Sequence, residues 1–262
     1  MLMILSSAVE CRTDMLELDC HLTLDGQVVV SHDQNLERQT GQNVNIADRN
    51  YADLPPYKEH VEVWFYPGHY SSGRDHHIPR LEDIFQTFPH IPINIEIKME
   101  NRELIRKVSD LVKKYSREQI TVWATDSERK MLLCRAENPH MAHAFTARRI
   151  LWLLLMFYSG SLPFVPIRES CLETFLPSII NRYYFPEKKI LRNRYVVRIL
   201  DWLLMKKWLF KHLTDRGIQV YFWVLNEEVD YRRAFEYGAT GVMTDFPNRL
   251  RAFLDQTQPL AS

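Results

Sequence analysis

Residues 15–32 read MLELDCHLTLDGQVVVSH and give the first indication of the fold, because they contain two apolar runs joined by a predicted tight turn. Apolar and polar residues alternate over residues 15–22, which is typical of a half-buried β-strand. Asp25-Gly26 stands between this run and Val28-Val29-Val30, and an Asp-Gly pair at such a position favours a β-hairpin. We therefore predict that the second run pairs antiparallel with the first and brings His32 back towards it.

The rest of the chain alternates short apolar strands with amphipathic helices. In the helices, apolar residues recur three and four positions apart, as one buried face requires. This alternation is typical of parallel βα units. The predicted strands cover residues 15–22, 93–98, 120–124, 142–146, 178–180, 220–225 and 241–244, and the predicted helices cover residues 103–115, 127–136, 199–216 and 227–237.

The number of predicted parallel strands is seven, one fewer than the eight that close a (β/α)8 barrel. Residues 5–13 have the pattern of the end of a helix that leads into the first predicted strand. We therefore expect either an open parallel sheet, whose edges would need cover, or an α/β barrel of the TIM type from which the first strand is missing at the amino terminus. In both cases we take residues 1–262 as a single domain.

The composition indicates a globular protein without a general preference for nucleic acid. The 262 residues are 46% apolar and 25% charged, which is enough to bury a large core. The 33 basic residues balance the 33 acidic residues, so no overall field attracts nucleic acid or an anionic membrane. The four cysteines include no CxxC pair, which favours free thiols in a cytosolic setting over a zinc site.

One apolar segment leaves membrane contact open. Residues 1–5 are apolar, but this stretch is too short for a signal peptide and has no basic flank. A Ser-Gly-Ser sequence and two prolines interrupt the longest apolar run, residues 150–167, so it falls short of the roughly 20 residues of a spanning helix. With Arg148, Arg149 and Arg168 nearby, the run predicts either a membrane-surface patch or an ordinary buried helix.

Two predicted strands carry acidic residues on one face. Strand alternation places Glu17, Asp19 and His21 on the same side, and Glu96 shares a side of its strand with Lys98. Charged side chains in a protein interior need a partner or a cation, so Glu17 and Asp19 either face solvent or form a site. Three carboxylates suit Mg²⁺ or Ca²⁺, and a lysine suits a phosphate oxygen. The alternative for Lys98 is an ion pair with Glu96 or Asp19.

His32 and Trp223 are two further candidates for a functional site. His32 follows directly after an apolar run, where a histidine can exchange protons near neutral pH. The alternative for His32 is a loop histidine that caps a turn. Trp223 stands in an apolar run and either lines a pocket or fills the core.

Six motifs together resemble the glycerophosphodiester phosphodiesterase family, in order and in spacing, and they span nearly the whole chain. Each motif is weak alone, but six in register make a chance match improbable. Within the family, the chain is most similar to the animal membrane-associated branch with lysophospholipase D activity, through Leu54-Pro55-Pro56-Tyr57 and Leu225-Asn226-Glu227-Glu228. The six motifs are Glu17-Leu18-Asp19, residues 22–26, residues 29–38, Glu96-Ile97-Lys98, residues 223–226 and residues 241–247.

This resemblance implies a (β/α)8 barrel of the phosphodiesterase kind that hydrolyses phosphodiesters with a divalent cation, Mg²⁺ or Ca²⁺. Glu17, Asp19 and Glu96 would bind the cation. The implied substrates are lysophospholipids or glycerophosphodiesters, and hydrolysis of the former releases lysophosphatidic acid. The implied location is cytoplasmic, with peripheral contact to intracellular membranes.

The resemblance also implies roles in catalysis and substrate binding. His32 would be one of two catalytic histidines, Lys98 would steady the phosphate, and Trp223 would lie near the substrate. The family places a His-Arg pair ahead of the acidic strand, whereas the first histidine here is His21, which does not stand at that position. One group of an acid and base pair contributes about 10²–10⁴-fold. We therefore expect a weakened enzyme, or a catalytically defective chain that retains metal, lipid or membrane-surface binding.

Overall fold

A computed structural model describes residues 2–72, 75–181 and 193–257 of the chain. The chain divides into two compact units. The first unit comprises Met1–Glu62 and Tyr70–Arg148, and the second comprises Val63–His69 and Arg149–Ser262.

The first unit contains a mixed sheet with helices between its parallel strands. The strands of this unit are β1 (Leu16–Leu22), β2 (Val28–Val30), β3 (His60–Glu62), β4 (Tyr70–Ser72), β5 (Ile93–Ile97), β6 (Thr121–Ala124) and β7 (Ala142–His143), and its helices are α1 (Leu2–Glu10), α2 (Glu37–Thr40), α3 (Leu81–Thr87), α4 (Arg102–Lys114) and α5 (Glu128–Glu137). The sheet has the order β2-β1-β5-β6-β7, and a separate antiparallel pair joins β3 to β4.

The predicted hairpin is confirmed. β2 pairs antiparallel with β1, with Cys20 opposite Val30, whereas β1, β5, β6 and β7 are parallel neighbours. Gly26 closes the turn with φ 78°, a left-handed conformation that glycine adopts without a steric penalty. The Lys107 ammonium donates a hydrogen bond of 2.7 Å to the Gly26 carbonyl, so α4 holds the turn in place.

The core of the first unit determines to which face of the sheet the acidic side chains of β1 point. Leu18 and Cys20 of β1 are buried in one cluster with apolar residues of β5 and α4. Asn101 begins α4 by accepting hydrogen bonds from the amides of Glu103 and Leu104, as an N-cap residue does. Because successive side chains of a strand point to opposite faces, this packing leaves Glu17 and Asp19 on the other face of β1.

The second unit contains, among its described residues, a parallel three-stranded sheet and five α-helices. The strands are β8 (Cys171–Phe175), β9 (Gln219–Trp223) and β10 (Gly241–Val242), and the helices are α6 (Ala147–Tyr158), α7 (Arg194–Leu204), α8 (Lys207–Thr214), α9 (Glu228–Tyr237) and α10 (Pro247–Thr257). The sheet has the order β10-β9-β8. The first helix, α6, begins two residues before the boundary between the units.

One predicted strand is wrong. Residues 178–180 lie in a 3-10 helix, Pro177–Asn181, and the strand of this region is β8, a few residues earlier. Proline cannot donate to a strand ladder, so Pro177 marks the end of β8. Glu173 interrupts the apolar pattern of β8, which explains why the sequence did not indicate a strand there.

The other predicted elements are confirmed, but several differ in length or continuity. The predicted strand over residues 241–244 is limited to Gly241–Val242. The predicted helix over residues 199–216 is two helices, α7 and α8, because the backbone is extended at Lys206 with φ −122° and ψ 105°. The predicted strand over residues 142–146 is limited to Ala142–His143. Part of the run 150–167 forms α6, which buries Leu153 and Leu154.

Among the residues that the structure describes, none of the helices combines the length and the apolar character that crossing a bilayer requires.

A partly buried ion pair connects α6 to the segment before β8 in the second unit. The Arg149 guanidinium contacts both carboxylate oxygens of Glu169, at 2.5 and 3.2 Å. Burial by itself raises the pKa of Glu169, but hydrogen bonds from Arg149 and from backbone amides outweigh it and hold this pKa below its usual value. The ionised pair therefore contributes stability above the usual glutamate pKa and loses it as the pH falls through the lowered pKa.

We expect Arg149→Met to lower the free energy of unfolding at neutral pH by about 2–3 kcal/mol, because it leaves a buried carboxylate without its cation. Arg148→Met is the matched control, since Arg148 is the exposed neighbour on the same helix and should change stability by no more than about 0.5 kcal/mol. Urea unfolding measures both variants. Equal stabilities for the two variants would show that the pair does not support the fold.

Candidate active site

The pairing of β1 with β5 brings three carboxylates together. Asp19 stands directly opposite Glu96 in the parallel register, and Glu17 precedes Asp19 by two residues on the same face. One oxygen from each of Glu17, Asp19 and Glu96 lies within 4.8 Å of the others. The structure therefore places these three predicted site residues in one cluster, at a separation that a single cation can bridge.

The three carboxylates differ in their exposure to solvent. Glu17 is exposed, Glu96 is half-buried and Asp19 is buried. Burial raises the pKa of Asp19 to about 6, a rise that the ammonium of Lys98 opposes and the carboxylate of Glu96 reinforces. Asp19 is thus a carboxylate whose ionisation is costly in the folded protein without a further positive charge.

Lys98 lies between two of these carboxylates. Its ammonium is 2.9 Å from Asp19 Oδ1 and 2.9 Å from Glu96 Oε2. Burial by itself lowers the pKa of Lys98, but the two carboxylates outweigh it and raise this pKa above its usual value. The structure thus contains the ion pairs that were the alternative for Lys98. With all groups ionised, three carboxylates and one ammonium leave two negative charges, which a divalent cation would balance.

The hairpin holds His32 beside the acidic strand. The amide of Ser31 donates a hydrogen bond of 3.0 Å to the Asp19 carbonyl, which fixes the backbone next to His32. The ring of His21 is buried and lies near the backbone of Ser31 and His32; burial lowers the pKa of His21, and these backbone groups oppose that change. His21, which shares the carboxylate face of β1 in the sequence pattern, therefore supports the segment that carries His32.

Asp33 and Arg38 orient the imidazole of His32. His32 Nδ1 is 2.6 Å from Asp33 Oδ1, and Arg38 Nε donates a hydrogen bond of 2.7 Å to Asp33 Oδ2. Burial by itself raises the pKa of Asp33, but His32 and Arg38 outweigh it and hold this pKa below its usual value. An ionised carboxylate at Nδ1 fixes the ring orientation and its tautomer. The sequence by itself predicts no role for Asp33 or Arg38, although the position of Asp33 directly after His32 could have indicated that the two side chains interact.

Trp223 lies in the second unit, on β9. Its half-buried ring contacts Phe65 and Phe175, with ring centroids 6.5 and 6.2 Å apart. These aromatic contacts agree in part with the alternative that Trp223 fills the core. A role for Trp223 near a substrate stays a prediction.

Two motifs of the second unit are joined by a hydrogen-bond network. The Asn226 amide donates to Asp245 Oδ2 at 2.9 Å, and its carbonyl oxygen accepts from Thr244 Oγ1 and from the Asp245 amide, each at 3.0 Å. The side-chain carbonyl of Asn226 thus accepts two hydrogen bonds inside the protein. These contacts give the residues after β9 and β10 a structural role.

Solved structures share this fold. A phosphodiesterase from Oleispira antarctica, solved with the product sn-glycerol-3-phosphate, superposes with a TM-score of 0.64 at 16% identity, covering 96% of this chain and 90% of that chain. A structure described as a putative glycerophosphoryl diester phosphodiesterase from Silicibacter pomeroyi gives a TM-score of 0.68 at 17% identity, covering 97% and 87%. The expected fold class, an α/β barrel of the TIM type, is confirmed.

Two human proteins are similar in sequence over most of the chain. Lysophospholipase D GDPD3 of Homo sapiens is 50% identical over 250 residues, which covers 95% of this chain and 79% of that protein. Lysophospholipase D GDPD1 of Homo sapiens is 52% identical over 247 residues, covering 94% and 79%. These relatives confirm the expected enzyme class, a phosphoric diester hydrolase.

Residues 2–249 match the glycerophosphoryl diester phosphodiesterase family. This match includes Glu17, Asp19, His32, Glu96 and Lys98, whose placement is described above. The resemblance that the six motifs indicate is thus confirmed. The chain belongs to the glycerophosphoryl diester phosphodiesterase family.

Proposed function

We propose that this chain is a metal-dependent hydrolase of lysophospholipids or glycerophosphodiesters, of the lysophospholipase D kind. The observation that carries the proposal is the cluster of Glu17, Asp19 and Glu96, with oxygens within 4.8 Å of one another, beside the ammonium of Lys98. The relatives that bear the name lysophospholipase D support the substrate class.

The carboxylate cluster suits a divalent cation. Carboxylate oxygens are preferred ligands of Mg²⁺ and Ca²⁺, and the cluster retains two negative charges after Lys98 is counted. Glu17, Asp19 and Glu96 would hold the ion. When bound, such an ion polarises a phosphoryl oxygen and lowers the pKa of a water molecule.

The neighbouring side chains supply the remaining roles. Lys98 would turn its ammonium from the carboxylates to a phosphate oxygen of the substrate. His32, oriented by Asp33, would transfer a proton to or from the reacting oxygen through its other ring nitrogen. Trp223 would contact the substrate.

We infer that hydrolysis by residues 1–262 is slow. Residues 1–20 contain no histidine. Residues 1–262 by themselves therefore supply His32 and not the histidine of the family's His-Arg pair. The same observation favours a second candidate function, a catalytically defective protein that retains binding of a cation or a lipid. Hydrolysis of a lysophospholipid distinguishes the two.

We also infer peripheral contact with intracellular membranes. A lysophospholipid partitions into a bilayer because its acyl chain leaves water there, so an enzyme that uses it works at a membrane surface. All four cysteines are free thiols, which suits a reducing compartment. Together these support a cytoplasmic enzyme at membranes.

Without a cation, we expect Asp19→Asn to stabilise the protein at neutral pH. The pKa of Asp19 is about 6 in the folded protein against an ordinary value of 3.8, so the folded state loses stability as the pH rises between these values. The gain on substitution should reach about 3 kcal/mol near pH 7 and disappear below about pH 4. Added Mg²⁺ or Ca²⁺ should stabilise the natural protein and not the variant.

Urea unfolding with a chelator, then with each cation, measures these effects. Asp110→Asn is the matched control, because Asp110 is an exposed carboxylate on α4. It should have no such pH dependence and should keep the response to the cation. If Asp19→Asn is less stable than the natural protein at neutral pH with chelator present, the cluster is not a site that needs a cation.

We expect His32→Ala to lower kcat/KM for lysophosphatidylcholine by about 10²–10⁴-fold, because proton transfer is lost. His77→Ala is the control, since the His77 side chain is 90% exposed, and its rate should match the natural protein. Release of choline and lysophosphatidic acid with Mg²⁺ or Ca²⁺ is measured. Equal rates for the two variants would exclude His32 from the reaction.

A chain extended at its amino terminus by a strand that carries the family's His-Arg pair should hydrolyse the same substrate about 10²–10⁴-fold faster. Equal rates would contradict the inference that residues 1–262 are slow. If only the extended chain hydrolyses the substrate, while the cation still stabilises both chains through Asp19, the defective alternative is correct.

A further inference from the structure

Two helices of the second unit each expose a stripe of apolar side chains. In both stripes the residues stand at positions i, i+4 and i+7, which places them on one side of the helix. All of these side chains are exposed to solvent. The stripes, called here the two-helix face, consist of Leu151, Leu155 and Tyr158 on α6 and of Tyr195, Ile199 and Trp202 on α7.

The two stripes form one surface. The rings of Tyr158 and Trp202 are stacked, with centroids 5.9 Å apart and an interplanar angle of 25°. The Tyr158 hydroxyl donates a hydrogen bond of 2.8 Å to the Leu203 carbonyl. Because Tyr158 ends α6 and Trp202 lies in the last turn of α7, the stripes meet where both helices end. A contiguous apolar surface of this kind marks an interaction site.

Basic residues stand on and beside the two-helix face. Asp201 is the one acidic residue in the sequences of α6 and α7, and it pairs with Arg233 at 2.6 Å. Arg198 is exposed and stands four residues before Trp202, on the same side of α7. Lys206 Nζ lies 4.6 Å from the centre of the Trp202 ring. The face therefore complements an anionic partner.

The chemistry of the face fits a lipid surface. Tryptophan and tyrosine favour the boundary between headgroups and acyl chains, because one end of each side chain is apolar and the other is polar. Arginine and lysine extend apolar stems along such a boundary while their charges reach the headgroups. A helix of 12 residues, the length of α6, is about 18 Å long, against about 30 Å of hydrocarbon. Such a helix lies on a bilayer and does not cross it.

We propose that the two-helix face docks the protein on the surface of an anionic phospholipid bilayer. The inference rests on the membrane contact proposed above, and it names the surface and the lipid charge for that contact. It does not rest on hydrolysis. Docking at this face would hold the second unit against the membrane that contains lysophospholipids.

Co-sedimentation of the full chain with vesicles tests this proposal, with a chelator present so that cation-dependent turnover does not alter the lipids. The vesicles are phosphatidylcholine alone or phosphatidylcholine with phosphatidylserine. Leu155→Ser with Trp202→Ser should lower partition onto anionic vesicles at least about tenfold, because apolar area no longer leaves water. Leu151→Ser with Leu155→Ser should do the same while the stack of Tyr158 on Trp202 remains.

The matched control is Leu132→Ser with Tyr70→Ser in the first unit. Leu132 and Tyr70 are 56% and 60% exposed, close to the 58% of Leu155 and 63% of Trp202. This control should partition like the natural protein. A general loss of surface apolarity would instead weaken both variants equally, and that result would overturn the proposal.

The charge of the face is tested separately. Arg198→Glu should lower partition onto the vesicles that contain phosphatidylserine by about fivefold or more, and high ionic strength should remove this difference. Partition onto phosphatidylcholine alone should change little. An equal loss of partition onto both kinds of vesicle would show that the face does not distinguish anionic from neutral lipids.

Two further results separate this proposal from others. If the face variants bind vesicles normally but convert a dimer of the natural protein into a monomer on size-exclusion chromatography, the face binds a second copy and the proposal is wrong. If the natural protein binds vesicles through the face but hydrolyses no substrate, docking is supported and the proposed activity fails. If it hydrolyses soluble glycerophosphocholine but does not bind vesicles, the activity is supported and docking is wrong.

Discussion

The register between β1 and β5 is the constraint on which the rest of the site depends. It sets Asp19 against Glu96, and like charges directly opposite each other on neighbouring strands repel. The register is nonetheless fixed, because a shift by one residue would turn Leu18 and Cys20 out of the core cluster. The apolar face of β1 thus forces the acidic face into a cluster that Lys98 balances only in part.

Much of the fold could be predicted because its signals are local. The hairpin at residues 22–28 depends on an Asp-Gly turn, and α4 depends on an apolar face and an asparagine cap. β8 was missed because its pairing with β9 is a tertiary contact that overrides an irregular pattern with Glu173. The break between α7 and α8 likewise depends on the extended backbone at Lys206, which has no glycine or proline to mark it.

The site was predictable only in its parts. Strand alternation alone put Glu17 and Asp19 on one face, and that inference needed no partner strand. The position of Lys98 between two carboxylates depends on both strands and on side-chain geometry. The contacts of Asp33 with His32 and Arg38 depend on the path of the chain after the hairpin. Charge balance at the cluster is therefore a tertiary property, although each of its residues is visible in the sequence.

The turn at Gly26 links a distant helix to the hairpin that carries His32. A Cβ atom at this position would lie 2.6 Å from Lys107 Nζ, and the positive φ would strain any larger residue. The lysine side chain is flexible, so it would move aside and lose its hydrogen bond to the Gly26 carbonyl. A change of one hydrogen atom to a methyl group would thus strain the turn and separate the hairpin that carries His32 from the helix that holds it.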